Sequence, residues 1–317
     1  MDIKTVFKSI LCSLWAIGFM ANLPAGAQNL QFSDLDYPYE VSYQEVSSGQ
    51  QIAYIDEGKG APLMLIHGLG SYIPAWKQNI PALAKSHRVI ALDLPGFGKS
   101  TKTAEEYSIS FFAKTVADLQ DSLGITEAIW VGHSMGAQVA MQGALSYPDK
   151  IAKLVLLAPA GFEAFTEQDA ALLTAYVTPE SIKATPEAVV RQTFKSTFFE
   201  FPDNARFMAD DRIAIRQAED FDLYARAYAE SVEAMLQGPV LSKLPEIKQP
   251  VLVIFGKQDM LIPNKQLHPD MTTEAVAQKG IEKLPDSRLK MVDRAGHFVH
   301  FEQPDIVNQA VLNFIKN

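Results

Sequence analysis

The stretch Ala128-Ile129-Trp130-Val131-Gly132-His133-Ser134-Met135-Gly136 constrains the fold of this chain more than any other. Its apolar run, Ala128 to Val131, stops at a glycine, and small, helix-compatible residues follow from Ala137 to Leu145. The pattern predicts a strand, a sharp turn with Ser134 at the apex, and then a helix. Glycine two residues to either side of Ser134 lets the strand and helix backbones pass close together. A G-x-S-x-G turn between strand and helix is a nucleophile elbow, which lifts the serine oxygen above the edge of a sheet.

The rest of the chain has to supply a core large enough to hold such a turn. With 317 residues, 48% of them hydrophobic and 21% charged, it can do so. One large domain with an insertion, or two domains, both fit that length. The net charge of −9 argues against nucleic acid, or an anionic membrane surface, as the main partner. At the N-terminus Lys4 and Lys8 precede an apolar run from Ile10 to Met20, and Pro24-Ala25-Gly26-Ala27 offers an A-x-A cleavage site. These features predict a signal peptide over residues 1–27 and a periplasmic or secreted protein. The run is shorter than the roughly 20 residues of a membrane-spanning helix, so no stable membrane insertion is expected after cleavage. Cys12, the only cysteine, falls in that leader. The mature chain would then lack disulfides, thiol catalysis and cysteine-based metal sites.

A polar and aromatic arm, Gln28 to Tyr39, leads into Val41 to Val46 and Gln51 to Ile55, whose alternation around Ser48-Gly49 reads as a β-hairpin. Leu63 to Ile66, Arg88 to Leu92, Ile151 to Leu157, Val251 to Phe255 and Leu289 to Val292 are short apolar runs typical of strands buried on both faces. Ser110 is placed to cap a helix that runs to about Leu123 and stops at Gly124, and a closing helix spans about Asp305 to Ile315. Strands alternating with helices at this spacing predict an α/β fold with a doubly wound parallel sheet. Between Phe162 and Leu244 the strand runs vanish and prolines punctuate amphipathic stretches; Leu223, Ala227, Val232 and Met235 share one helical face. This segment, 162–244, reads as a helical cap inserted into a core of residues 28–161 and 245–317. The long polar segment between Asp259 and Leu289 carries no recognisable motif.

A serine hydroxyl needs a base to take its proton, and the base needs an acid to orient it. Asp259 follows the Val251–Phe255 strand and His297 follows the Leu289–Val292 strand, so each is delivered to the same sheet edge as Ser134. Asp293 is the rival acid, only four residues from His297 and better placed to shape the turn. His87, His268 and His300 have no such setting and read as structural or exposed, and His133 sits beneath the elbow. A tetrahedral intermediate needs two backbone donors. Met135 N–H, at a helix N-terminus, is one; Leu69 N–H, in the loop His67-Gly68-Leu69-Gly70, is the other. His67 and Gly68 support that loop by hydrogen bonding and by backbone freedom.

With His67-Gly68, Asp93 to Ser100, the elbow, Asp259 and Gly296-His297 in place, the chain resembles the α/β-hydrolase superfamily over nearly all of its mature length. The resemblance implies a mostly parallel eight-stranded sheet with a helical cap after the sixth strand. It also implies a catalytic triad of Ser134, Asp259 and His297, needing neither cofactor nor metal. Haloalkane dehalogenases and epoxide hydrolases place aspartate at the elbow, whereas this chain has Ser134. The carbon–carbon hydrolases of that superfamily usually carry a proline in the oxyanion loop, which His67-Gly68-Leu69-Gly70-Ser71 lacks.

The substrate pocket is expected between the strand ends and the cap, with Phe162, Phe165, Phe198 and Phe298 as candidate lining. Phe194, Phe199, Phe201 and Met208 complete the cap's apolar supply. An apolar pocket of this kind suits ester-like bonds in small hydrophobic substrates. One of Arg212, Arg216 and Arg226 could receive a substrate carboxylate. Carbon–carbon bond hydrolysis, lactone hydrolysis, perhydrolysis and acyl transfer on the same triad stay open, as does a ligand receptor built on such a fold.

Overall fold

The computed structural model describes residues 30–238 and 240–316, so the leader over residues 1–27 lies outside the described residues. The buried apolar runs do become strands. β1 (Ser42–Glu45), β2 (Gln51–Glu57), β3 (Pro62–Ile66), β4 (Arg88–Leu92), β5 (Ala128–His133), β6 (Ile151–Leu157), β7 (Val251–Gly256) and β8 (Ser287–Val292) form one sheet, in the order β1-β2-β4-β3-β5-β6-β7-β8. β1 and β2 pair antiparallel, as the hairpin pattern requires, and β2 runs antiparallel to β4. Every other pair is parallel. β5 is buried along its whole length at the sheet centre, between β3 and β6.

Helices flank this sheet, as the alternating pattern predicts. They are α1 (Ile80–Leu83), α2 (Ile109–Ser122), α3 (Met135–Ser146), then α4 to α8 within the insertion, and α9 (Thr273–Ile281), α10 (Val299–Glu302) and α11 (Pro304–Ile315). α2 packs on α3, while α11 packs on α1 and β7. The cap of α2 differs from the sequence expectation. Ser108, not Ser110, stands at the N-cap, where its hydroxyl accepts the Phe111 N–H at 3.0 Å. Its extended backbone allows that bond, whereas Ser110 already lies inside the helix.

Between β6 and β7 the chain forms α4 (Glu167–Tyr176), α5 (Pro179–Ala184), α6 (Glu187–Ser196), α7 (Arg206–Ala214) and α8 (Phe221–Gln237). Thr166 and Thr178 cap α4 and α5. α8 lies on α4, α5 and the core helix α2. Its fully buried residues are Phe221, Tyr224, Ala225, Ala227 and Ser231; of the expected stripe Ala227 is among them, while Leu223, Val232 and Met235 are partly buried. The N-terminal arm binds both parts. Tyr37 donates its hydroxyl to the buried Asp93 at 2.5 Å, Phe32 packs against Tyr224 with ring centroids 5.5 Å apart, and the Gln31 side chain accepts the Glu219 N–H at 3.0 Å.

Candidate active site

Ser134 sits at the end of β5 with φ 53° and ψ −116°, a conformation that costs a non-glycine residue about 1–3 kcal/mol. The strain is held from both sides. Ser134 N–H donates to Leu157 O at 2.9 Å, and Ser134 O accepts from Ala137, Gln138 and Ala160. Gly132 and Gly136 are required by close approach. A Cβ at Gly132 would stand 2.3 Å from Gly136 O, and one at Gly136 would stand 2.2 Å from Ile66 O. Among the described residues no hydrogen bond reaches the Ser134 hydroxyl.

His297 and Asp259 meet after their separate strands. Nδ1 of His297 lies 2.8 Å from Asp259 Oδ2, and both side chains are almost wholly buried. Asp259 Oδ1 accepts the N–H groups of Leu261 and Ile262 at 2.8 and 3.0 Å. With those bonds fixing the carboxylate, it can accept only from Nδ1–H, which leaves the Nε2 lone pair of the imidazole uncommitted. Asp293 is instead exposed and paired with Lys257 at 2.8 Å.

The oxyanion-loop residues are held as one unit. His67 Nε2 accepts the Leu94 N–H at 2.9 Å, so Nδ1 carries the ring proton and donates to Gly68 O at 2.7 Å. Ser71 N–H donates to the same carbonyl at 3.1 Å. That carbonyl belongs to the Gly68–Leu69 peptide, so these bonds also fix where Leu69 N–H points. Neither Leu69 N–H nor Met135 N–H has an acceptor among the described residues. Burial holds the His67 pKa down at about 4, so it is neutral near pH 7. Gly68 backs directly onto the elbow: a Cβ there would lie 3.1 Å from Ser134 Cβ.

A stack of buried rings lies behind His297. His133 places its ring 4.9 Å from His297, 4.5 Å from His300 and 4.8 Å from Phe298. Burial, with the neighbouring imidazoles, lowers the His133 pKa well below its ordinary value, and burial takes His300 to about 3. His300 packs on Trp76 at 4.5 Å, so the structural reading of that residue describes its surroundings. His87, half-buried, pairs with the hydroxyl of Ser86.

The four candidate pocket aromatics separate. Phe198 and Phe298 stack at 5.0 Å with planes 3° apart, beside His133 and His297. Phe162 is core instead, not pocket lining. It is fully buried against Phe255, and its ring occupies the space a side chain at Gly280 would need. Phe165 packs on His268, 5.5 Å between rings. His268 in turn lies 2.5 Å from Glu163, whose carboxylate also accepts the Asn264 N–H, so the polar segment after Asp259 is pinned to the start of the insertion. Of the three candidate arginines Arg212 is the one that reaches the oxyanion loop, and Glu302 is a residue the sequence did not single out. Arg212 stacks between Tyr224 and Tyr228, at 4.5 and 4.9 Å, beside Gly70 of the oxyanion loop, and no carboxylate among the described residues pairs with it. Glu302 accepts three main-chain N–H groups, one of them from Gly296.

Comparison with known proteins places the fold. A family model described as alpha/beta hydrolase fold matches residues 61–304. The dihydrolipoyllysine-residue acetyltransferase component of the acetoin cleaving system of Pseudomonas putida is 33% identical over 81% of the chain, which spans 64% of that protein's length. A 2-hydroxy-6-oxononadienedioate/2-hydroxy-6-oxononatrienedioate hydrolase of Burkholderia vietnamiensis is 29% identical, covering 87% of this chain and 94% of its own. Among solved structures, a probable hydrolytic enzyme from Pseudomonas aeruginosa superposes with a TM-score of 0.80 at 25% identity, over 89% of this chain and 96% of that one. The sheet order, the serine elbow and a family match over most of the sequence lead to one conclusion: the chain belongs to the alpha/beta hydrolase fold family and is a hydrolase.

Proposed function

We propose that the chain is an exported serine hydrolase that cleaves ester-like bonds in small hydrophobic substrates. The observation that carries this reading is the buried Asp259–His297 pair at the sheet edge that also bears Ser134. Ser134 attacks the carbonyl carbon while Nε2 of His297 takes its proton, and Asp259 holds the tautomer and stabilises the imidazolium. The oxyanion is bound by Leu69 and Met135 N–H, both left without acceptors. His297 then returns its proton to the leaving alcohol. Water activated by the same base hydrolyses the acyl-enzyme. Catalytic hydrogen bonds often tighten only when substrate binds, so the unpartnered Ser134 hydroxyl accords with this role. Export is proposed from Lys4, Lys8 and the apolar run before Ala27.

Replacing Ser134 with alanine is expected to abolish hydrolysis of p-nitrophenyl esters and labelling by a serine-directed fluorophosphonate, with the melting temperature unchanged. Retained hydrolysis in the folded variant overturns the assignment.

Arg212 favours a second reading. A guanidinium without a carboxylate partner beside the oxyanion loop suits a substrate that carries a carboxylate, and the Burkholderia relative is named for dioate substrates. On that reading the same triad cleaves a carbon–carbon bond next to a carbonyl. Turnover of a dienoate, absent for neutral esters, distinguishes it.

A further inference from the structure

Glu302 takes no part in the chemistry proposed above, yet it joins the turn bearing His297 to the helical insertion. Oε1 accepts the N–H groups of Phe199 and Glu200 at 2.8 and 3.0 Å, and Oε2 accepts the Gly296 N–H at 2.6 Å. The first two donors belong to the insertion; the third belongs to the residue immediately before His297. Hydrogen bonds to an ionised carboxylate are roughly twice as strong as neutral ones, so the three together form a firm junction.

The same junction is closed by other contacts. His297 N–H donates to Thr197 O at 2.8 Å. Gly296 is pressed against the insertion so tightly that a Cβ would stand 2.7 Å from Thr197 O and 2.9 Å from the Phe198 backbone. Phe198 stacks on Phe298, on the other side of His297. The remaining restraints on the turn come from both sides: from the core, Gln258 receives the Ala295 N–H, Gln303 donates to Arg294 O and His133 Nε2 donates to His297 O, and from the insertion Glu200 pairs with the Arg294 guanidinium at 2.6 Å. The Arg294–Glu200 pair is exposed to solvent, whereas Glu302 holds main-chain N–H groups of both the turn and the insertion on one carboxylate.

We propose that Glu302 is a positioning residue whose single carboxylate, by binding Gly296, Phe199 and Glu200, keeps the His297 imidazole in line with Ser134 only while residues 197–200 are docked. The proposal rests on the serine-hydrolase reading for the step that is positioned. The insertion segment is thereby a strut of the base, and its docking sets turnover rather than substrate affinity.

Glu302→Gln tests it with little change of shape, because the amide keeps one acceptor oxygen and presents an N–H₂ group to the other donors. The full chain is assayed with p-nitrophenyl butyrate. A fall in kcat of about tenfold or more with KM within about threefold is expected, which corresponds to about 1.4 kcal/mol or more of lost transition-state stabilisation. The downfield proton resonance of the Asp259–His297 hydrogen bond should broaden or vanish, and amide exchange should quicken together in segments 197–200 and 294–298. Gly296→Ala, which pushes the insertion away with Glu302 intact, should give the same split between kcat and KM. Unchanged kcat, an unchanged downfield proton, or faster exchange in only one of the two segments overturns the proposal, whatever happens to the melting temperature. The resonance and the exchange rates do not depend on Ser134 chemistry, so loss of the serine-hydrolase reading is told apart from loss of this one.

Discussion

Nε2 of His133 lies 3.0 Å from the main-chain carbonyl of His297, across 164 residues of sequence. A carbonyl can only accept, so Nε2 carries the proton and the tautomer of His133 is set. The residue just before Ser134 therefore braces the turn that carries His297. Phenylalanine at 133 would fill the space without supplying the donor. Leaving that buried carbonyl without a partner costs about 1–3 kcal/mol. His133→Phe is expected to lower the melting temperature and to reduce kcat by about fivefold to tenfold, read by thermal scans and ester kinetics. Wild-type values for both would show that the bond contributes nothing.

Asp259→Asn should keep the Leu261 and Ile262 bonds through its carbonyl oxygen but present an N–H₂ group to Nδ1 of His297. The imidazole must then turn its proton to Nε2, where it cannot act as a base. A loss of about 10³–10⁴-fold in kcat is expected, the size such a tautomer change produces in serine proteases. Asp293→Asn, which breaks only an exposed pair with Lys257, should change kcat less than about twofold. Equal losses in the two variants would argue against Asp259 as the orienting acid.

Arg212→Met keeps the apolar stem against Tyr224 and Tyr228 and removes the charge. If substrates carry a carboxylate, KM for an acidic ester should rise about tenfold to a hundredfold while a neutral ester changes less than about threefold. A matched change in both substrates would make Arg212 part of the pocket wall alone. The comparison needs only a methyl succinate ester set beside its neutral dimethyl analogue.

Acid should unfold this protein through its buried histidines. Burial lowers the pKa of His67 to about 4 and of His300 to about 3, and holds His133 well below its ordinary value. In the unfolded chain each titrates near 6.5. As pH falls below that value the unfolded state binds protons that the folded state refuses, so stability drops from about pH 6.5 to about pH 4. Each histidine adds about 1.4 kcal/mol per pH unit to the slope once its unfolded form is charged. His300→Phe should therefore flatten the curve and lower the proton uptake on unfolding at pH 5 by about one, measured calorimetrically in buffers of different ionisation enthalpy. Identical uptake in both proteins would contradict neutral burial of His300.

The sheet and the elbow were legible because their determinants are local. A strand covered on both faces must be continuously apolar, and Gly132 and Gly136 answer backbone contacts within the elbow or with the neighbouring strand. Asp259 and His297 were legible for a related reason: in a parallel sheet, residues after strands arrive at one edge. What escaped the sequence reading depends on distant partners. Glu163 finds His268 and Asn264 more than 100 residues away, and Glu302 reaches Phe199 and Glu200 across a similar gap. Hydrophobicity alone likewise gave Phe162 no address. Its place in the core follows from the room left at Gly280, more than a hundred positions further along. The cap of α2 shows the local limit. Two serines two residues apart offer the same chemistry, and only backbone geometry separates Ser108 from Ser110.

The arm that ties Gln31 to Glu219, Phe32 to Tyr224 and Tyr37 to Asp93 has a consequence for the order of assembly. The Gln31–Glu219 contact closes a loop of 188 residues, and its partner is presented only after the insertion has folded onto the core. Contacts so distant in sequence form late, because the entropy of closing the loop must be met before they return anything. Residues 31–37 are thus among the last to find their places, and they act as a clasp that shuts over a molecule already built.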